Sequence, residues 1–157
     1  MEKINIVELA KEVMEILEMK ASKRNITLGF NAKYDSPIFV MADADKIKQV
    51  YANLLENAIK YGQENGSITL RFYDMDQNML CEVADDGPGI EEHHIPRLFE
   101  RFYRVDSARD RNAGGTGLGL AIVKHIIEAH EQTINVRTQT GENSGTTFSF
   151  TLRKANR

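Results

Sequence analysis

Asn53, Asn57 and Lys60 stand four and three residues apart, a spacing that on a helix, at about 100° per residue, gathers two amides and an ammonium into a narrow sector. Amide oxygens suit Mg²⁺, and an ammonium can meet phosphates. Ile47, Val50, Leu54 and Ala58 form the adjoining apolar face, so the polar stripe borders the buried surface, and Tyr61 closes the segment. The polar border of an ordinary helix has the same appearance.

A second group follows in Asp85-Asp86-Gly87-Pro88-Gly89-Ile90, at the end of a strand-like run. Glycines there permit close backbone approach, and an ionised Asp85 can accept a hydrogen bond from the exocyclic amine of adenine where guanine offers only a carbonyl. Asp and Gly are equally the residues of a plain tight turn. A third group, Gly114-Gly115-Thr116-Gly117-Leu118-Gly119-Leu120, opens an apolar helix. Unpaired amides at a helix N-terminus, with glycines beside them, suit an anion such as a triphosphate, and a merely flexible loop is the alternative. Neither the Gly-x(4)-Gly-Lys-Ser/Thr spacing nor the Gly-x-Gly-x-x-Gly signature is present. Between the second and third groups, Leu98–Arg104 precedes the polar run Asp106–Ala113. An aromatic anchor followed by a polar stretch has the form of an active-site lid over residues 91–113, although Arg101 and Arg104 also fit solvated surface charges.

These residues must be carried by recognisable elements. Ile6, Leu9, Val13, Ile16 and Leu17 predict an amphipathic lead-in helix from Ile4 to about Lys23. Strands are expected over Ile26–Ala32 and Ile38–Met41, followed by a helix from about Ala44 to Tyr61 behind the cap Asp43. Ser67–Tyr73 and Met79–Ala84 have the pattern of a hairpin with a longer loop, and Thr133–Thr138 with Thr146–Leu152 that of a second pair. A helix from about Leu118 to Ala129 lies between. Strand pairs mixed with helices, without βαβ alternation, predict an α+β two-layer sandwich with helices on one face of a mixed sheet.

The 157 residues fit one domain, and 20 basic against 23 acidic residues argue against a nucleic-acid binder driven by bulk charge. Cys81 is the single cysteine, which excludes an internal disulfide and points to a reducing compartment. No apolar stretch approaches the roughly 18–20 residues of a membrane span, so a cytoplasmic segment without membrane contact is expected.

In this order the segments resemble the ATP-binding catalytic domain of sensor histidine kinases, in the superfamily that also holds gyrase, the heat-shock chaperone ATPase and the mismatch-repair ATPase. Asn53–Tyr61 is similar to the N box, Asp85–Gly89 to the first glycine box, Leu98–Arg104 to the F box, Gly115–Gly119 to the second glycine box and Gly145–Phe148 to the closing Gly-Thr motif. The wording is closest to phosphate-sensor-like kinases. The resemblance implies ATP and Mg²⁺ as ligands, with Asn57 on the metal and Asn53 assisting. It implies Asp85 reading adenine, with Gly87, Gly89, Ile90 and Thr147 near the base and Lys60 and Tyr61 bordering the nucleotide. Gly115, Thr116, Gly117, Leu118 and Gly119 would hold phosphates, and Arg104 would reach the γ-phosphate.

The superfamily's ATPases carry a water-activating glutamate four residues before the asparagine, where this chain has Asn53. A neutral amide cannot act as a base, which favours transfer to an external nucleophile. The phosphoacceptor motif is missing, and His93, His94, His125 and His130 fall where no acceptor is expected. The partners implied are therefore a phosphoacceptor histidine domain of the same kinase and, through the full-length kinase, a response regulator, with sensor and dimerisation segments upstream. A serine kinase of the anti-sigma-factor type and a regulatory nucleotide-binding module are the rival readings.

Overall fold

The computed structural model describes residues 1–105 and 118–155. In chain order it holds β1 (Glu2–Asn5), α1 (Ile6–Lys23), β2 (Thr27–Phe30), β3 (Phe39–Ala42), α2 (Ala44–Tyr61), β4 (Ser67–Met75), β5 (Asn78–Asp85), a 3-10 helix (Glu92–Arg97), α3 (Gly119–Ala129), β6 (Ile134–Gln139) and β7 (Gly145–Lys154). The expected α+β sandwich is present. One mixed, mostly antiparallel sheet runs β1-β3-β7-β5-β4-β2, and among the described residues only the β2–β4 pair is parallel. β7 pairs with β5 along one edge, while its other edge is shared between β6 at Gly145–Phe150 and β3 at Arg153–Lys154.

Side-chain alternation decides which face of the sheet is covered. Ile68, Leu70 and Phe72 of β4, Met79, Cys81 and Val83 of β5, and Phe148, Phe150 and Leu152 of β7 are buried in one core cluster with the apolar stripes of the helices. Tyr51 of α2 is fully buried edge-on against Phe150, with ring centroids 5.4 Å apart. Cys81 fills core space, as its strand setting suggests, and burial pushes its thiol up to about 12. The opposite face carries polar residues around Glu82. Only 3% exposed, Glu82 is held by Arg71 Nε at 3.3 Å, Arg137 Nη1 at 3.1 Å and the Ser149 hydroxyl at 2.8 Å.

The caps explain where the helices start and stop. Asn5 accepts from Val7 N–H at 3.1 Å, so residues 2–5 are free to pair with β3, and the lead-in element is a strand followed by a helix rather than a helix from Ile4. Asp43 likewise caps α2 through Lys46 N–H. At the far end of α2, the Arg24 guanidinium donates to the carbonyls of Ile59 and Lys60, satisfying acceptors that a helix terminus leaves open. His130 at the end of α3 donates from Nδ1 to Ile126 C=O at 2.8 Å and accepts at Nε2 from Asp43 N–H at 3.1 Å, joining α3 to the start of α2.

Two expectations need correction. Ile16 is 77% exposed, because it falls off the stripe set by Ile6, Leu9, Ala10, Val13, Leu17 and Ala21. The β4–β5 connection is a two-residue turn at Asp76-Gln77 rather than a longer loop, since pairing continues to Met75↔Asn78 and Asp76 takes a φ of 72°.

Phe150→Ala removes the ring on which Tyr51 packs and should cost about 3–5 kcal/mol of stability. Urea unfolding measures this, and a loss below about 1 kcal/mol would mean that the sheet and helices are not held at this contact.

Candidate functional site

Asn53, Tyr61, Asp85, Gly87 and Gly119 lie where the C-terminal end of β5, the polar edge of α2 and the N-terminus of α3 meet. Asp85 ends β5 on the helix-facing side of the sheet, in register with Thr146 of β7. Its Oδ1 accepts from Gly87 N–H at 2.9 Å, which folds the following turn back over the carboxylate. Burial pushes the carboxyl up to about 6 and the Asp86 charge adds to the rise, opposed by the backbone N–H groups of Gly87 and Thr146. Asp86 is turned away and accepts from the N–H and hydroxyl of Ser67.

The glycines of this turn are required by close approach. A Cβ on Gly87 would lie 2.9 Å from Gly62 Cα and from Tyr61 O, so the turn abuts the end of α2 directly. Gly89 has a φ of +81°, and a Cβ there would lie 2.1 Å from Gln139 O. Ile90 N–H donates to the Thr138 hydroxyl at 2.8 Å.

Asn53 and Asn57 occupy successive turns of α2 and are half-buried. Asn53 Nδ2 donates to Gly119 C=O at 3.3 Å, which brings the opening turn of α3 against the polar edge of α2. That bond uses the amide nitrogen and leaves the oxygen, and no hydrogen bond engages the Asn57 side chain among the described residues. Lys60 Nζ lies 4.8 Å from the centroid of the Tyr61 ring at the same edge. The leading N–H groups of α3, from Gly119 onward, have no partner within their own helix, and with the helix dipole they favour an anion. Leu118 is the residue that precedes that helix. Gly115, Thr116 and Gly117 lie outside the described residues, as do residues 106–113 of the expected lid.

Within the described part of the lid, Leu98 is buried and Phe99 packs edge-on against Phe148, centroids 6.1 Å apart. The Tyr103 hydroxyl meets His94 Nδ1, and the Arg97 guanidinium covers the Tyr103 ring at 4.6 Å. Arg104 follows directly and is half-buried.

Thr147 does not join this cluster. Pairing with Ala84 and Arg137 puts its side chain on the opposite face of the sheet, in a polar hollow lined also by Thr69, Arg71 and Arg137 and bordered at the end of β5 by Asp85. The threonine that shares Asp85's face is Thr146, 5% exposed. Thr138 was also missed, and its signal was a hydroxyl in period-two alternation with Ile134 and Val136.

A family model described as "Histidine kinase-, DNA gyrase B-, and HSP90-like ATPase" matches residues 42–156. The chain belongs to this family of ATPase-like domains. It is 39% identical to sensor histidine kinase YkoH of Bacillus subtilis over 147 residues, covering 94% of this chain and 31% of that protein. It is 43% identical to the phosphate regulon sensor protein PhoR of Pseudomonas aeruginosa over 105 residues, covering 67% of this chain and 24% of that one. The chain thus spans less than a third of the length of these relatives. Among solved structures, the mycobacterial sensor histidine kinase MprB superposes with a TM-score of 0.85 at 28% identity, over 99% of this chain and 100% of that one. The catalytic domain of histidine kinase ThkA gives 0.83 at 35% identity, over 98% and 95%. These matches bear out the resemblance to histidine kinases. No helix among the described residues is long and apolar enough to cross a membrane.

The raised carboxyl of Asp85 has a consequence for stability. Because its folded-state pKa of about 6 lies above the 3.8 of an ordinary aspartate, folding is penalised where the group is ionised. The penalty is full above about pH 6, shrinks as pH falls through 6, and is gone below about 4. Asp85→Asn should therefore gain on the order of 1–3 kcal/mol over wild type at pH 7, at about 1.4 kcal/mol per pKa unit, and lose that advantage toward pH 4. Denaturant titrations of both proteins between pH 4 and 8 provide the check, and a pH-independent difference would rule out the shift.

Proposed function

We propose that this chain is the catalytic domain of a sensor histidine kinase, binding Mg-ATP and donating the γ-phosphoryl group to a histidine on a separate dimerisation domain. The P–O bond to the β-phosphate breaks as a P–N bond to the acceptor imidazole forms, and ADP leaves. The observation that carries the reading over hydrolysis is Asn53. A neutral amide tied to Gly119 stands where a water-activating carboxylate would be needed, and the one neighbouring carboxylate on α2, Glu56, is exposed and faces Lys20 of α1 at 3.8 Å.

Asp85 selects adenine by accepting from its amine, with Gly87, Gly89 and Ile90 shaping the base pocket and Thr146 in the place expected for Thr147. Gly119 and Leu118, with Gly115, Thr116 and Gly117, hold the phosphates, and Lys60 and Tyr61 border them. The residues present fit Mg²⁺ as a companion of the nucleotide. The amide oxygens of Asn57 and Asn53 are hard ligands, and no cluster of three His, Cys, Asp or Glu among the described residues would hold the ion alone. Bound there, Mg²⁺ would neutralise phosphate charge. Arg104, at the end of the segment anchored by Phe99 and Tyr103, stabilises charge on the transferring group. Supporting this reading, a ThkA structure aligned over 98% of this chain at 32% identity holds that kinase together with a response regulator protein, TrrA. A response regulator is accordingly the partner of the full-length kinase, whose catalytic part works in the cytoplasm.

Calorimetry should show Mg²⁺-dependent binding of ATP and ADP with little affinity for GTP, and Asp85→Asn should weaken ATP strongly. Equal ATP and GTP affinity in the wild type would defeat the assignment of Asp85.

The chain should not phosphorylate itself, yet should label a separately supplied acceptor-helix domain of its own kinase. In single-turnover transfer, Arg104→Ala should lose far more rate than affinity, toward the roughly 10³–10⁵-fold seen when arginine fingers are removed. Asn57→Ala should instead damage Mg-ATP binding itself. Steady ATP hydrolysis without any acceptor would point to an ATPase, and a wild-type transfer rate in Arg104→Ala at saturating ATP would return that residue to the surface charges.

A further inference from the structure

Thr138, Thr146 and Asp85 form one rung across β6, β7 and β5 on the helix-facing side of the sheet, each in register with the next. Two inter-strand spacings, roughly 10 Å, separate the ends of this rung. The turn that leaves Asp85 bridges that distance. It is held at its start by the bond from Gly87 N–H to Asp85, and at its far end by the bond from Ile90 N–H to the Thr138 hydroxyl. Pro88, midway, has no N–H to give.

The Thr138 oxygen is used fully. It accepts from Ile90, donates to Gly145 C=O at 3.1 Å, and lies 3.0 Å from the Thr146 hydroxyl. Gly145 is itself locked, since a Cβ there would lie 2.4 Å from Asp85 O. One hydroxyl therefore joins the turn after β5, the start of β7 and the threonine beside Asp85. Among the described residues, Asp85 and Thr138 are the only side chains whose hydrogen bonds hold the backbone of Gly87–Ile90.

We propose that Thr138 is a positioning residue for nucleotide selection: its hydroxyl fixes the Gly87–Ile90 turn against the β6–β7 hairpin and so sets Asp85 and Thr146 for adenine. The proposal rests on the reading of Asp85 as the adenine acceptor. Thr138 acts through Ile90, Gly145 and Thr146. Loss of the hydroxyl leaves the Ile90 N–H without its partner, and the turn relaxes away from the rung. The outcome is a wider base pocket in which adenine loses its advantage over guanine.

The test compares Thr138→Val, which keeps the branched shape without the hydroxyl, with Thr138→Ser, which keeps the hydroxyl. Thr138→Ala is a second hydroxyl-free variant, read in the same way should valine prevent folding. Calorimetric dissociation constants for Mg-ATP and Mg-GTP and the thermal midpoint are measured for each. The hydroxyl-free variant should bind ATP about tenfold more weakly, the weight of one buried backbone group left unpaired. Its ATP-to-GTP preference should shrink with it, and serine should restore both. An unchanged preference in a folded hydroxyl-free variant, or a lower thermal midpoint with no change in preference, overturns the role of Thr138 and leaves Asp85's intact. A wild type that itself makes no distinction between ATP and GTP removes the base reading and the proposal with it.

Discussion

The antiparallel ladder between β5 and β7 is the constraint on which the site depends. Its register runs unbroken from Asn78↔Arg153 to Asp85↔Thr146, and period-two alternation then leaves no choice of face. Met79, Cys81 and Val83 enter the core, so Asp85 must point to the same side and emerge where the helices end. A slip of one residue would send Asp85 to the face of Glu82 and bring Ala84 into the cleft. The same ladder fixes Gly145 against the Asp85 backbone, where no side chain has room.

Much of this was legible in the residues. The spacing of Asn53 and Asn57 marked the polar edge of α2 because a helix of that length, capped by Asp43 and stopped at Gly62, has a single apolar face. The Asp-Gly-Pro-Gly turn after an alternating run announced its own position. What stayed hidden depended on pairing between distant segments. Four residues ahead of α1 form a strand only because β3 offers an edge, and Asn5 reads as a cap only once Val7 is seen donating to it. Of two adjacent threonines, only the partner strand decides that Thr146 rather than Thr147 shares the side of Asp85. Thr138 lies forty-eight residues from Ile90 in sequence, and no local spacing connects them.

The two faces of the sheet solve opposite problems. Toward the helices, a carboxylate is left partly desolvated and its proton affinity rises. Away from them, Glu82 is buried almost completely but is matched by two guanidinium groups and a hydroxyl. An acidic residue kept under arginines is a structural strut, whereas one kept with only backbone N–H groups for company retains unused bonding capacity.

Arg24 ties the first part of the chain to the last turn of α2, where its guanidinium closes the carbonyls of Ile59 and Lys60 next to the edge that Tyr61 shares with Gly87. The family match begins only at residue 42, after β1, α1, β2 and most of β3. A fragment trimmed to that boundary would strip α2 of the helix packed beside it and open its terminal carbonyls to water. Residues 1–41 thus pack as one body with α2, and a domain swap or chimera made at the sequence-homology border would cut through the scaffold that holds the candidate site.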